Sequence, residues 1–170
     1  MKLRTGALLC SLCFLVLVHA HAATLPDSCG SDSTQFKVAT KKGQPLPPAD
    51  GTAQVVVIET SGYIAIGQKV TARVGLDGAW VGADNGNSYL AFPVAPGEHH
   101  LCANWQSSLG RWDKMVGLSS FTAEAGKTYY YQVKVTLDRD FQDFSLVALN
   151  DDQGKYMVQS SKRSISTAGK

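Results

Sequence analysis

From Ala53 onward, apolar and polar residues trade places at nearly every step. A period of two puts successive side chains on opposite faces of an extended chain, so the pattern predicts strands. Ala53 to Thr60 is rich in Val and Ile and predicts a strand buried on both faces. Lys69 to Asp77 aligns Val70, Ala72, Val74 and Leu76 on one side, with Thr71, Arg73, Gly75 and Asp77 on the other. Asp77-Gly78 matches a two-residue hairpin turn, in which both central residues take positive φ. Ala79 to Asp84 is the expected return strand. Asn85-Gly86-Asn87 turns the chain before a strand over Ser88 to Val94, where Pro93 marks an end or an edge. Pro96-Gly97 then precedes Glu98 to Gln106, with His99, Leu101, Ala103 and Trp105 opposite His100, Cys102 and Asn104.

A polar loop through Trp112 leads to a strand over Val116 to Ala123 and a turn at Ala125-Gly126-Lys127. Thr128 to Leu137 alternates most cleanly, with Tyr129, Tyr131, Val133, Val135 and Leu137 on one face. Phe141 to Asn150 and Lys155 to Val158 complete the predicted strands. Short strands of similar spacing, separated by turn signals, predict an all-β fold. The expected architecture is an immunoglobulin-like or transthyretin-like antiparallel β-sandwich. No stretch carries an apolar stripe of helical period.

The ends divide off from this pattern. Lys2 and Arg4 precede an apolar run from Ala7 to Val18, and Ala20-His21-Ala22 has small residues at the two positions that a signal peptidase reads. That order reads as a secretory signal over 1–22, cut after Ala22 with Ala20 as the alternative. The apolar run is shorter than the roughly 20 residues of a membrane span. None of Cys10, Cys13 and Cys29 directly follows a small-residue box at the end of the run, so a lipid anchor is not expected. The product is expected to be exported, periplasmic or secreted, with no transmembrane anchor after cleavage. Residues 23–52 are expected to form an irregular arm, punctuated by Gly43, Pro45, Pro47 and Pro48, with a short edge strand allowed at Phe36 and Val38. Residues 53–158 form the predicted sandwich domain, and 159–170 a polar, mobile tail.

Cleavage at Ala22 removes Lys2 and Arg4 from the 16 basic residues, leaving 14 to face 14 acidic ones. A neutral chain gives no footing for nucleic acid or an anionic membrane. The remaining cysteines, Cys29 and Cys102, form an even pair in a chain bound for an oxidising compartment, and predict one disulfide. It would pin the arm to the sandwich. The mature chain has no Cys-x-x-Cys, so redox catalysis is not expected.

Val74-Gly75-Leu76-Asp77-Gly78-Ala79-Trp80-Val81-Gly82, the following Asn85 to Tyr89, Val94 to Trp105 and Phe121 to Tyr131 together carry a resemblance. They resemble a bacterial family known as domain of unknown function 2846, over about Ala53 to Asn150. The resemblance implies an exported β-sandwich and assigns no activity. Many relatives look like lipoproteins, and this chain departs from them in lacking the lipid-attachment box.

Candidate chemistry is sparse. His99 and His100 point to opposite faces of one strand, so that geometry does not let them share a metal ion. No Gly-x-Ser-x-Gly elbow marks a hydrolase nucleophile. The aspartates, Asp77 and Asp84 among them, read mostly as turn residues. No catalytic residue, cofactor or metal is therefore assigned. The aromatics lean toward recognition. Trp112, in the polar loop, with Trp80 and Tyr89, forms the candidate ligand surface; Trp105 reads as core, and Tyr63 as a further candidate. The expected function is a noncatalytic envelope or secreted module that binds a ligand, a glycan or a protein. The alternative is a secreted hydrolase using His99 or His100 with nearby carboxylates. A third reading has a partner add a strand, at the arm before Ala53 or near Pro93.

Overall fold

The structure, a computed structural model, describes residues 25–61, 69–107, 110–138 and 142–169. The expected signal over 1–22, Tyr63 and Phe141 lie outside the described residues. The strands are β1 (Phe36–Lys41), β2 (Ala53–Glu59), β3 (Thr71–Leu76), β4 (Ala79–Asn85) and β5 (Ser88–Val94). They continue as β6 (Gly97–Trp105), β7 (Val116–Ala123), β8 (Thr128–Leu137), β9 (Gln142–Leu149) and β10 (Lys162–Ala168). A 3-10 turn spans Gly110–Lys114, and a helix, α1, spans Asp151–Ser160.

The strands form two sheets, one of six in the order β1-β10-β5-β2-β8-β9 and one of four in the order β4-β3-β6-β7. The fold is an all-β sandwich. Most pairings are antiparallel, but β2 runs parallel to β8 and β10 parallel to β5. Asp77 and Gly78 take φ of 52° and 88° and close the β3–β4 hairpin, as the turn chemistry requires. The turns at Asn85–Asn87, Ala95-Pro96 and Glu124–Lys127 instead carry the chain from one sheet to the other.

The core lies between the sheets. Ala53, Val55 and Val57 from β2, Val70, Ala72 and Val74 from the β3 side, and Leu101, Ala103 and Trp105 from β6 meet there with Tyr131 and Val133 of β8. Burying one Val or Leu of this kind stabilises by about 1.5–3 kcal/mol. The other face of β2 is buried as well. Val56 and Ile58 pack with Tyr89, Tyr130 and Val158 under α1. The apolar stretch of β2 is therefore covered on both sides.

Three elements depart from the sequence reading. Residues 155–158 are helical, not a strand: Asn150 caps α1, its side chain accepting from the Gln153 N–H at 2.9 Å while Gln153 reaches back to the Asn150 N–H. This reciprocal cap satisfies amides that an extended segment would leave for a sheet. The expected tail over 159–170 holds a strand from Lys162 to Ala168. Its β10 pairs antiparallel with β1, from Phe36 opposite Ala168 to Lys41 opposite Arg163. The arm is correspondingly more ordered than its prolines suggest, because β1 completes the six-stranded sheet. Backbone pairing, not side-chain burial, orders both polar segments.

The open sides of the sandwich are closed. At one seam β4 lies against β10, where the Ala83 N–H donates to Ser166 Oγ at 3.0 Å. At the other, Gly117 of β7 lies so close to β9 that an added Cβ would meet Leu146 N at 2.7 Å. Among the described residues, no helix is long and apolar enough to cross a membrane.

Candidate functional site

The disulfide joins Cys29 to Cys102, with Cα atoms 5.3 Å apart. Around it, the arm packs on the outer face of the four-stranded sheet. Arg73 of β3, 2% exposed, donates to the Asp32 carbonyl at 3.0 Å and the Thr34 carbonyl at 2.7 Å. The Arg73 guanidinium also donates to Asn104 Oδ1, and Asn104 donates on to the Asp113 and Met115 carbonyls. Burial pulls the Arg73 pKa down, against the opposing pull of Asp32 and Asp113. One buried cation thus ties arm, sheet and 3-10 turn together.

This arrangement places the three aromatics read as a ligand surface apart, Tyr89 fully buried and Trp80 and Trp112 partly so. Trp80 donates its indole N–H to the Ser31 carbonyl at 2.8 Å, and the Arg73 guanidinium lies 4.7 Å from its ring centre. It is a half-buried clamp on the arm. Trp112 stacks on Trp105, with ring centres 4.8 Å apart and planes within 10°. Its ring faces the core, and its indole N–H is buried without an acceptor. Tyr89 is 0% exposed, packed in the outer cluster, with its hydroxyl donating to the Gly43 carbonyl at 3.1 Å. The sequence places each ring on a strand or loop, and only the arm and α1 decide that it is covered. The three rings are not brought together into one surface.

His99 and Asp77 do meet. His99 Nδ1 lies 2.6 Å from Asp77 Oδ2, and His99 Nε2 lies 2.8 Å from the Ala95 carbonyl oxygen. Both ring nitrogens face acceptors, an arrangement that suits the doubly protonated ring. The hydrogen bond that His99 donates to Asp77 raises the His99 pKa, against the pull of burial. Asp77 itself stays low: burial lifts it, but the His100 amide at 2.8 Å and the His99 ring outweigh that. His100, on the other face, is exposed and lines a shallow hollow with Ser28, Ser119 and Ser120.

Two carboxylates that the sequence did not single out as a site are the unusual groups. Glu59 ends the core-facing row Ala53, Val55, Val57 on β2. Asp84, on β4, is the Cα partner of Ala72, which in turn opposes Trp105, so its side faces the same interior from the other sheet. Both residues are 0% exposed. Asp84 is therefore no turn residue. Glu59 accepts from the Ser61 N–H at 2.6 Å through Oε1. Glu59 Oε2 and both Asp84 carboxylate oxygens have no hydrogen-bond partner. Burial pushes the Glu59 pKa up. Burial, reinforced by the Glu59 charge and only partly opposed by the Glu59 backbone amide, pushes Asp84 well above the ordinary carboxylate range. The signal in the sequence was an acid continuing an apolar row of period two.

A third feature lies on the outer face of the six-stranded sheet. The proline-rich strap is held there by Gln54 Nε2, which donates to the Leu46 carbonyl at 2.9 Å, and by Tyr89. Leu46 itself stands 72% exposed between two hollows of about 290 and 210 Å³. The first is lined by Gln44, Gln54, Tyr130, Lys155 and Gln159, the second by Phe92, Pro93 and Arg163. No family of proteins, no curated protein and no solved structure matches this chain.

Proposed function

We propose that this chain is an exported, noncatalytic β-sandwich module of a bacterial envelope or secretome, and that it recognises a ligand or protein partner through the strap around Leu46. The observation that carries the reading is Leu46 itself, a large apolar side chain held out in solvent at 72% exposure. Its backbone is fixed by Gln54, and the prolines on either side restrict the strap further. A restrained apolar residue loses little entropy when a partner covers it. The amide side chains in the adjoining hollow offer donors and acceptors for a glycan or a peptide backbone. Export is supported by the charged and apolar leader, and by the Cys29–Cys102 bond, which belongs in an oxidising compartment.

The noncatalytic part draws support from His99. Its two nitrogens are engaged with Asp77 and the Ala95 carbonyl, so neither is turned toward a nucleophile. The test pairs capture from the native envelope with a glycan array, using the mature protein and Leu46→Asp. The expected result is one partner or glycan class that is retained by the native protein and lost by the variant at unchanged melting temperature. Capture and array profiles unaffected by Leu46→Asp would overturn the assignment of the site. Ester, peptide or glycan turnover that disappears in His100→Ala would overturn the noncatalytic reading.

A further inference from the structure

We propose that Glu59 and Asp84 anchor a hard divalent cation, calcium by its chemistry, inside the sandwich at the Glu59 end of β2. The two acids reach the interior from opposite sheets, and β2 and β4 are in contact across the sandwich. Two like charges with no exposure are costly when they stay unpaired. A doubly charged cation cancels both at once.

The oxygens are of the right kind. Calcium takes carboxylate, carbonyl and water oxygens in flexible geometry. Three carboxylate oxygens at this place receive no hydrogen bond, and all belong to residues that solvent does not reach. Asp84 in particular is fully buried, with neither oxygen in a well-formed hydrogen bond, and it lies near enough to Glu59 to feel its charge and its backbone amide. Ser88, the Cα partner of Glu59, brings a buried hydroxyl to the same side, already engaged with the Asn85 carbonyl and with Ser164 Oγ. Protonating both acids instead would leave two O–H donors requiring acceptors of their own. That alternative is an outcome of the test below.

Two carboxylates make a weak site. Sites of low charge count fall in the Kd range of about 10⁻⁴–10⁻³ M, which suits modules outside the cell. The choice of calcium leans on the proposed export, but the site itself does not depend on Leu46 or its partner.

The experiment uses the mature protein stripped with a chelator, then calcium chloride alone, followed by calorimetric titration and thermal melting. Asp84→Asn and Glu59→Gln are measured beside it. Calcium should bind the native protein with Kd about 10⁻⁴–10⁻³ M and raise its melting temperature. Both variants should bind at least about tenfold more weakly. In chelator both should melt at or above the native protein, since each replaces an acid whose ionisation burial opposes with a neutral amide. No heat and no melting shift for the native protein at tens of millimolar calcium would overturn the proposal and assign the pair a retained proton. Equal stabilisation of native protein and both variants would overturn it too, as a nonspecific salt effect. The native arm decides even if a variant fails to fold.

Discussion

Gly154→Ala sets two magnitudes against each other. Gly154 sits in the second turn of α1, where alanine would favour the helix by about 1 kcal/mol. The structure points the other way. An added Cβ would fall 2.6 Å from Tyr130 Cβ and would also overlap Cγ and Cδ1 of the ring. Tyr130 is 9% exposed and Val158 2%, so the ring has little room to retreat. Overpacking of this kind costs about 1–3 kcal/mol. The overlap involves ring and stem atoms, not a flexible tip, so relief requires α1 to lift from the sheet. Lifting would re-expose Val158, at about 1.5–3 kcal/mol if complete. The expected net effect is a destabilisation of about 1–2 kcal/mol, or about 3–8 °C in melting temperature. Urea unfolding followed by tryptophan fluorescence measures it. In a Tyr130→Ala background the clash is gone, and Gly154→Ala should then be neutral or stabilising by up to about 1 kcal/mol. A more stable Gly154→Ala in the native background would show that α1 does not dock on Tyr130.

Replacing both cysteines by serine removes a link spanning 73 positions, and should cost about 4 kcal/mol by loop closure, read as a lower urea midpoint. The same variant should give faster amide exchange at Gly78, whose N–H donates to the Ser28 carbonyl; unchanged exchange there would refute the pinning of the arm. His99 has a raised pKa and Asp77 a lowered one, so their contact is worth most from about pH 4 to 6.5. It fades as pH rises through the folded pKa of His99, or falls through that of Asp77. His99→Gln should therefore cost about 0.5–1 kcal/mol at pH 5.5 and nearly nothing at pH 9, an equal cost at both pH values being the contrary result. In chelator, Glu59 and Asp84 carry raised pKa values, so the folded chain keeps protons that the unfolded chain gives up above about pH 4. Metal-free stability should fall from pH 5 to pH 7.5, and Asp84→Asn should flatten that slope; a native urea midpoint that does not change with pH would contradict the burial of the pair.

The alternation of β3, β6 and β8 was enough to set their two faces apart, and the unbroken apolar run of β2 to mark it as buried on both sides. Val70, Ala72 and Val74, or Tyr131 and Val133, line the interior as their period demands. Side-chain direction in a strand is a local property, so one chain segment suffices to read it. Asp77-Gly78 was legible for the same reason, as positive φ is a demand on two residues alone. The cysteine pairing was legible because the expected signal cleavage would leave only Cys29 and Cys102 to pair.

The rest depended on distant segments. β1 and β10 are polar strands, ordered because residues about 130 positions apart share a ladder. Helix α1 had its Asn150–Gln153 cap in plain view, but Val158 and Gly154 become a buried face only against Tyr130. Asn85–Asn87 was read correctly as a turn, yet nothing local says that it crosses between sheets. The three rings read as a surface are covered to different extents, fully for Tyr89 and in part for Trp80 and Trp112. Tyr89 lies beneath the strap and α1, Trp80 against the arm and Trp112 on Trp105. Burial is decided by what a segment elsewhere in the chain places on top. The acidic pair follows the same logic: each carboxylate alone reads as a strand end or a turn, and only the packing of one sheet on the other closes water off from both. Sequence determined which way each side chain points along its strand. Tertiary structure decided what it meets there, because that depends on chain segments brought together only by the fold.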